Sequence, residues 1–233
     1  MVFQFLNSLF MKLINTYLKF RKAFFYSPHN LEFYINDISF KDSAKYIYDN
    51  FYNVKYYYNS RDLINFALSF QANKDDLIAE FGVFKGKSIN YISSKTKNTV
   101  YGFDTFEGTN EKFSIYMDMK DFHLGQLPKV NENVKLIKGL FQNSLPSFLS
   151  ENSGKKFQFL HIDSDTYEST YFVLKSCKNM LHKDTFILFD DFLTIPGWRY
   201  NQFKAFNDFI KENPDIKYEY SGMSLYQMLI KIN

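Results

Sequence analysis

At 233 residues the chain is long enough to bury a full core, and one domain with an N-terminal extension is the expected organisation. A net charge of +3 lacks the basic footprint of a nucleic-acid binder, and no run of about eighteen uninterrupted apolar residues predicts a membrane-spanning helix. The 28 Phe and 18 Tyr accompany abundant Lys, Asn and Ile, so the aromatic content reads as compositional bias rather than as a binding signal.

The charge is unevenly spread. Residues 1–30 carry Lys12, Lys19, Arg21 and Lys22 with no acid. Apolar residues at 2, 6, 9, 13, 17 and 20, and at 3, 10, 14 and 18, make a wide stripe at helical period. Such a basic amphipathic helix over residues 1–25 could rest peripherally on an anionic membrane, on the core or on a second copy of the chain. Packing against protein is the better expectation for an aromatic-rich stripe. The start of the chain lacks the charged region and cleavage site of a signal peptide. The lone Cys177 excludes an internal disulfide and fits a reducing, cytoplasmic setting.

Ser27-Pro28-His29-Asn30 breaks that helix, and residues up to 59, rich in Tyr and Asn, read as short helices forming a cap. From residue 60 the pattern sharpens, which sets the expected division into an extension (1–59) and a main domain (60–233). Ser60 is a candidate cap for a helix through Leu63, Ile64, Ala67 and Leu68 that stops at Ala72-Asn73.

Leu77 to Phe81 then enter a turn bearing Gly82 and Gly86, a helix follows, and Val100 to Asp104 form a second apolar run ending in a carboxylate. This is the order of a βαβ nucleotide-binding unit. Gly82 allows a sharp turn, and Gly86 a close approach of backbone to ligand. Asp104 follows Glu80 by 24 residues, near the spacing at which an acid accepts from ribose hydroxyls. Gly86-Lys87-Ser88 with Asp190-Asp191 imitates a P-loop nucleoside triphosphatase or kinase, but the loop is one residue short and Phe81 stands where its first glycine belongs. Glu80 would repel a polyphosphate, yet it suits the ammonium and sulfonium of S-adenosylmethionine.

After Thr105-Phe106-Glu107-Gly108 a long polar and aromatic stretch carries His123, a candidate base or substrate contact. Val134 to Lys138 alternate as a third strand, and Leu140-Phe141-Gln142 beyond Gly139 would lie near an adenine. Phe157 to Asp163 form a fourth strand. Asp165 with Glu168 three residues on reads as a capping box, an alternative to a chemical role, whereas Asp163 is free of capping. A helix from Tyr171 to Leu181 buries Cys177. The fifth strand, Asp184 to Phe189, delivers Asp190 and Asp191, which repel each other unless a cation neutralises them. A helix over 201–211 and two strands, Lys217 to Tyr220 and Leu225 to Ile232, complete a doubly wound α/β domain whose ligands sit at the strands' carboxyl ends.

Taken together, Ser60-Arg61, the segment Glu80 to Ser88, Tyr101 to Gly108, Asp163 to Thr170 and Phe189-Asp190-Asp191 make residues 60–192 resemble the macrocin, mycinamicin and novobiocin-type sugar O-methyltransferases. The resemblance implies a Rossmann-like, S-adenosylmethionine-dependent enzyme with seven strands, the last antiparallel, and a divalent metal, commonly magnesium. It implies that Glu80, Gly82, Gly86 and Ser88 meet the methionine part and Asp104 the ribose. Phe106, Gly139 and Phe141 complete the cofactor-binding set, and Asp163, Asp190 and Asp191 hold the metal. Lys87 stands where the family usually has glycine. An alcohol must lose its proton to accept a methyl group, and Asp163, Asp165 and His123 are the candidate bases. The expected partner is a small-molecule or glycan acceptor. The competing readings are the P-loop-like enzyme and a non-catalytic partner subunit that keeps the fold.

Overall fold

The computed structural model describes residues 12–17, 31–70, 76–109 and 119–233. Residues 12–17 are helical with Leu13 and Tyr17 exposed; the remainder of the N-terminal stripe and the expected stop at Ala72-Asn73 lie outside the described residues.

Seven strands form one sheet: β1 (Leu77–Phe81), β2 (Val100–Asp104), β3 (Val134–Lys138), β4 (Phe157–Ile162), β5 (Phe186–Phe189), β6 (Tyr218–Met223) and β7 (Met228–Ile232). Their order is β3-β2-β1-β4-β5-β7-β6. The first five run parallel, and β7 is antiparallel to both β5 and β6 between which it lies. The final hairpin is therefore present, with its last strand inserted into the sheet rather than added at the edge. The chain winds outward from β1 to β3 and then returns to start β4 on the other side of β1. That reversal opens a crevice between the carboxyl ends of β1 and β4.

β1, β4 and β5 are buried at every position, as strands covered on both faces must be. Alternation sends Leu77, Ala79, Phe81, Ile187 and Phe189 into one layer and Ile78, Phe159, Phe186 and Leu188 into the other. The first layer is covered by α4 (Phe141–Glu151), α5 (Tyr167–Cys177) and α6 (Gln202–Glu212), the second by α2 (Ser60–Leu68) and α3 (Lys87–Ser93). Asn59, not Ser60, caps α2: its side chain accepts from Arg61 N, and Ser60 is the first helical residue.

Helix α1 (Leu31–Asn50) is moored to the main domain. Asp42 takes two hydrogen bonds from Arg199, at 2.8 and 2.9 Å, and a third from the indole of Trp198. Tyr46 packs edge-on against Trp198 and Phe203, and Phe51 lies in the first core layer. Beyond the helix, Tyr57 N donates to Met223 O and Met223 N to Lys55 O. Residues 31–59 thus pack into the same core as the sheet.

Candidate active site

The strand ladder carries on past the strand ends and sets the site residues side by side. Gly82 N donates to Phe103 O, Asp163 N to Phe81 O, and Asp190 N to Ile162 O, all within 3.0 Å. At Gly82, φ is +95° and a Cβ would stand 1.9 Å from the Asp163 carbonyl oxygen. The glycine is needed because the neighbouring backbone passes there, as well as for the turn. Gly86 also has a positive φ, but its missing Cβ faces Pro128 and Val130 rather than a ligand.

Over this row lies a cleft of about 760 Å³, counting its open mouth. Gly82, Phe84, Asp104 and Thr105 line one side, Leu140, Phe141 and Gln142 another, and Asp163, Ser164, Asp165 and Ser169 the floor. Gly139 borders an adjoining open groove with Lys138 and Glu107. Asp104 lines the cleft, but its carboxylate is also the keystone of two loops. Oδ2 accepts from Val83 N at 2.8 Å and Phe84 N at 2.7 Å, and Oδ1 from Phe106 N at 2.7 Å. Phe106, expected at the cofactor, is 2 % exposed and packs in the second core layer, so its ring anchors the loop from below.

Four carboxylates and one imidazole converge at the cleft's inner end. Ligand atoms of Asp163, Asp165 and Asp191 lie within 4.8 Å of one another, as do those of His161, Asp163 and Asp190. Asp165 does not cap α5. Thr166 does, accepting from Ser169 N at 3.3 Å, while Asp165 stands at φ 61° with its side chain buried against Asp191. Burial and the charge of Asp190 hold Asp163 well above the usual carboxylate range. Burial and the hydrogen bond with Asp191 do the same for Asp165, and burial pushes Asp191 up to about 7. Asp190 goes the other way: burial would raise it, but hydrogen bonds from His161 and Gln227 prevail and hold it low.

Glu80 is fully buried behind this rim. Its Oε1 lies 2.7 Å from His161 Nδ1, while Oε2 has no hydrogen-bond partner. Burial raises the Glu80 carboxyl, opposed by His161 and by the Ser88 hydroxyl, whose geometry nonetheless leaves Oε2 unsatisfied. His123 is exposed and bridges Glu107 across the loop; it belongs to neither carboxylate group, so the structure does not bring this candidate base to the aspartates.

Three residues that the sequence reading passed over complete the arrangement. Gln202 donates to Ile162 O and accepts from Asp191 N, tying the ends of β4 and β5 together. Gln227, from the β6–β7 turn, donates to Asp190 Oδ1. His161 could have been found: an ionisable residue in a fully buried strand beside another with a buried glutamate implies that the two meet. Nothing local marks either glutamine.

A β1/β4 crevice, an acidic residue near the end of β1 and a carboxylate keystone at the end of β2 define a Rossmann-like fold with its ligand cleft at the strands' carboxyl ends. Residues 79–192, which include the lining of the cleft and its aspartates, match the family model described as a methyltransferase domain. No curated protein matches the chain by sequence. Among solved structures, the calicheamicin methyltransferase CalS11 is similar at a TM-score of 0.59 and 19 % identity, covering 74 % of this chain and 77 % of that one. The O-methyltransferase NovP is similar at 0.52 and 16 % identity, covering 73 % and 79 %. At these identities the likeness shows the fold, and it bears out the resemblance read from the motifs at that level. Among the described residues no helix is long and apolar enough to cross a membrane.

Proposed function

We propose that the chain is an S-adenosylmethionine-dependent O-methyltransferase that acts, with a divalent cation, on a hydroxyl of a sugar or glycosylated metabolite. The observation that carries this reading is the cleft itself, which is lined by Asp163 and Asp165, so that a donor bound in it would present its methyl group beside the acidic rim. Apo CalS11 is described as a TDP-rhamnose 3'-O-methyltransferase, which favours a sugar hydroxyl here.

The donor set fits a hard cation. Asp163, Asp190 and Asp191, with Asp165 beside them, offer oxygen ligands kept close together at the cost of mutual repulsion, and magnesium is the natural candidate. Such an ion, when bound, makes a coordinated hydroxyl more acidic. The chain's own residues supply the rest. Asp104, Phe141 and Gln142 would hold the nucleoside half and Gly82 the methionine half, with Glu80 buried behind the cleft wall beside Ser88. Asp165, which lines the cleft against Asp191, would in its ionised form take the acceptor's proton. Methyl transfer needs oxygen, carbon and sulfur in line, so fixing both partners against the same strand ends supplies much of the rate.

The triphosphate reading loses support because the amides of Val83 and Phe84 already donate to Asp104 and cannot cradle a phosphate. Calorimetry separates the two: binding of S-adenosylhomocysteine without ATP is expected, and the reverse result overturns the proposal. Transfer from labelled donor to a panel of nucleotide sugars and glycans identifies the acceptor. Donor binding without transfer to any acceptor would leave the non-catalytic subunit as the better description.

A further inference from the structure

His161 lies beneath the rim and touches both halves of the site. It is 2 % exposed, sits in β4 and pairs in register with Glu80 of β1 and Leu188 of β5. The pleat directs Glu80, His161 and Asp190 to the same side of the sheet, the side covered by α2 and α3. The ring's Nδ1 is 2.7 Å from Glu80 Oε1 and its Nε2 is 3.4 Å from Asp190 Oδ1. Ionised carboxylates only accept, so a ring with one at each nitrogen must donate from both. The amide of Gln227 converges on the same Asp190 oxygen, and Ser224 Oγ in turn holds Gln227 Oε1 at 2.8 Å. Two donors on a single oxygen fix the rotation of that carboxylate and leave its other oxygen for the rim.

We infer that His161 is a positioning residue for the cation rim: anchored on buried Glu80, it donates to Asp190 and sets the orientation in which that carboxylate joins Asp163 and Asp191. The inference rests on the methyltransferase reading, in which Asp190 is a cation ligand. It assigns His161 no contact with donor or acceptor. The ring is held from behind at Nδ1 by buried Glu80, and Asp190 is the only member of the rim that its Nε2 reaches among the described residues.

Outer partners of metal ligands typically change metal affinity ten- to hundredfold when removed. The test is Mn²⁺ binding followed by electron paramagnetic resonance, with S-adenosylhomocysteine binding to the unaltered chain measured alongside by calorimetry. His161→Gln keeps one amide donor; if it does not fold, Glu80→Gln/His161→Gln removes the buried charge together with its partner. Mn²⁺ affinity should fall at least about tenfold, with an altered spectrum of the bound ion. In an Asp190→Asn background, His161→Gln should cost nothing further, because the ring acts through that aspartate. Unchanged Mn²⁺ affinity in His161→Gln, or losses that multiply in the double variant, would overturn the inference. If the unaltered chain binds the homocysteine product but no Mn²⁺, the inference falls while methyl transfer stands; if it binds neither, the functional reading itself falls.

Discussion

The carbonyl oxygen of Asp163 occupies the place of a Gly82 side chain, 1.9 Å from where a Cβ would be. The obstruction is backbone, which cannot swing aside, and the residue's φ of +95° adds strain for any replacement. Gly82→Ala should therefore push apart the ends of β1 and β4. We expect a loss of more than about 2 kcal/mol, measured by urea denaturation, together with weaker donor binding. An unchanged midpoint would mean that the two strands can separate freely.

Asp190 is held by His161 and Gln227 and lies in one group with His161 and Asp163, the aspartate that links it to Asp165 and Asp191. Asp190→Asn should abolish metal-stimulated turnover while the chain stays folded, as judged by circular dichroism. Turnover of the unaltered protein should likewise fall by at least about tenfold in chelator. Full activity in either experiment would remove the metal from the mechanism.

The acidic rim also predicts a pH dependence. Burial raises Asp191 to about 7, and Asp163 and Asp165 are raised as well, each above its unfolded value near 4. A group that holds its proton more tightly when folded stabilises the fold below its unfolded pKa, and that contribution disappears as pH rises through the folded value. Metal-free protein should consequently lose stability from about pH 4 up to about pH 7. Adding Mg²⁺ at pH 8 should restore it, with little effect at pH 5. Thermal melts at both pH values with and without the ion give the answer, and a Mg²⁺ response that is equal at both pH values would contradict it.

Helix α1 supports the loop that follows β5. Ser43 Oγ accepts from Thr194 N, and Asp42 pairs with Arg199, the two side chains being 43 % and 40 % exposed. Exposed pairs are screened, so Asp42→Ala should cost only about 1 kcal/mol globally. Locally it should loosen the contact, seen as faster amide exchange over residues 31–50. Exchange that is unchanged there would show that Tyr46 and Phe51 hold the helix unaided.

Much of the fold was legible because its signals are local. Five apolar runs, each followed by a turn or a helical stretch, fix a parallel α/β sheet through nothing more than the pleat and the helical period. Val134 to Lys138 coincide with β3 residue for residue, and the glycine turn and paired aspartates mark where a ligand would go. Roles that depend on what arrives from elsewhere were not legible. The capping pattern at Asp165 ends with Thr166 as the cap, because the aspartate turns inward to Asp191. Phe106 follows the ribose-type acid in sequence, yet its ring goes into the core.

The amino-acid sequence by itself determined which segments become strands, in what order, and which acids would end them, since burial periodicity and turn chemistry act between near neighbours. Only the tertiary structure decided which of those acids meet, that His161 joins Glu80 to Asp190, that His123 stays outside, and that residues 31–59 lock onto the loop behind the site. Those pairings span tens of residues, and their partners are chosen by strand order and register, which no short stretch of sequence contains.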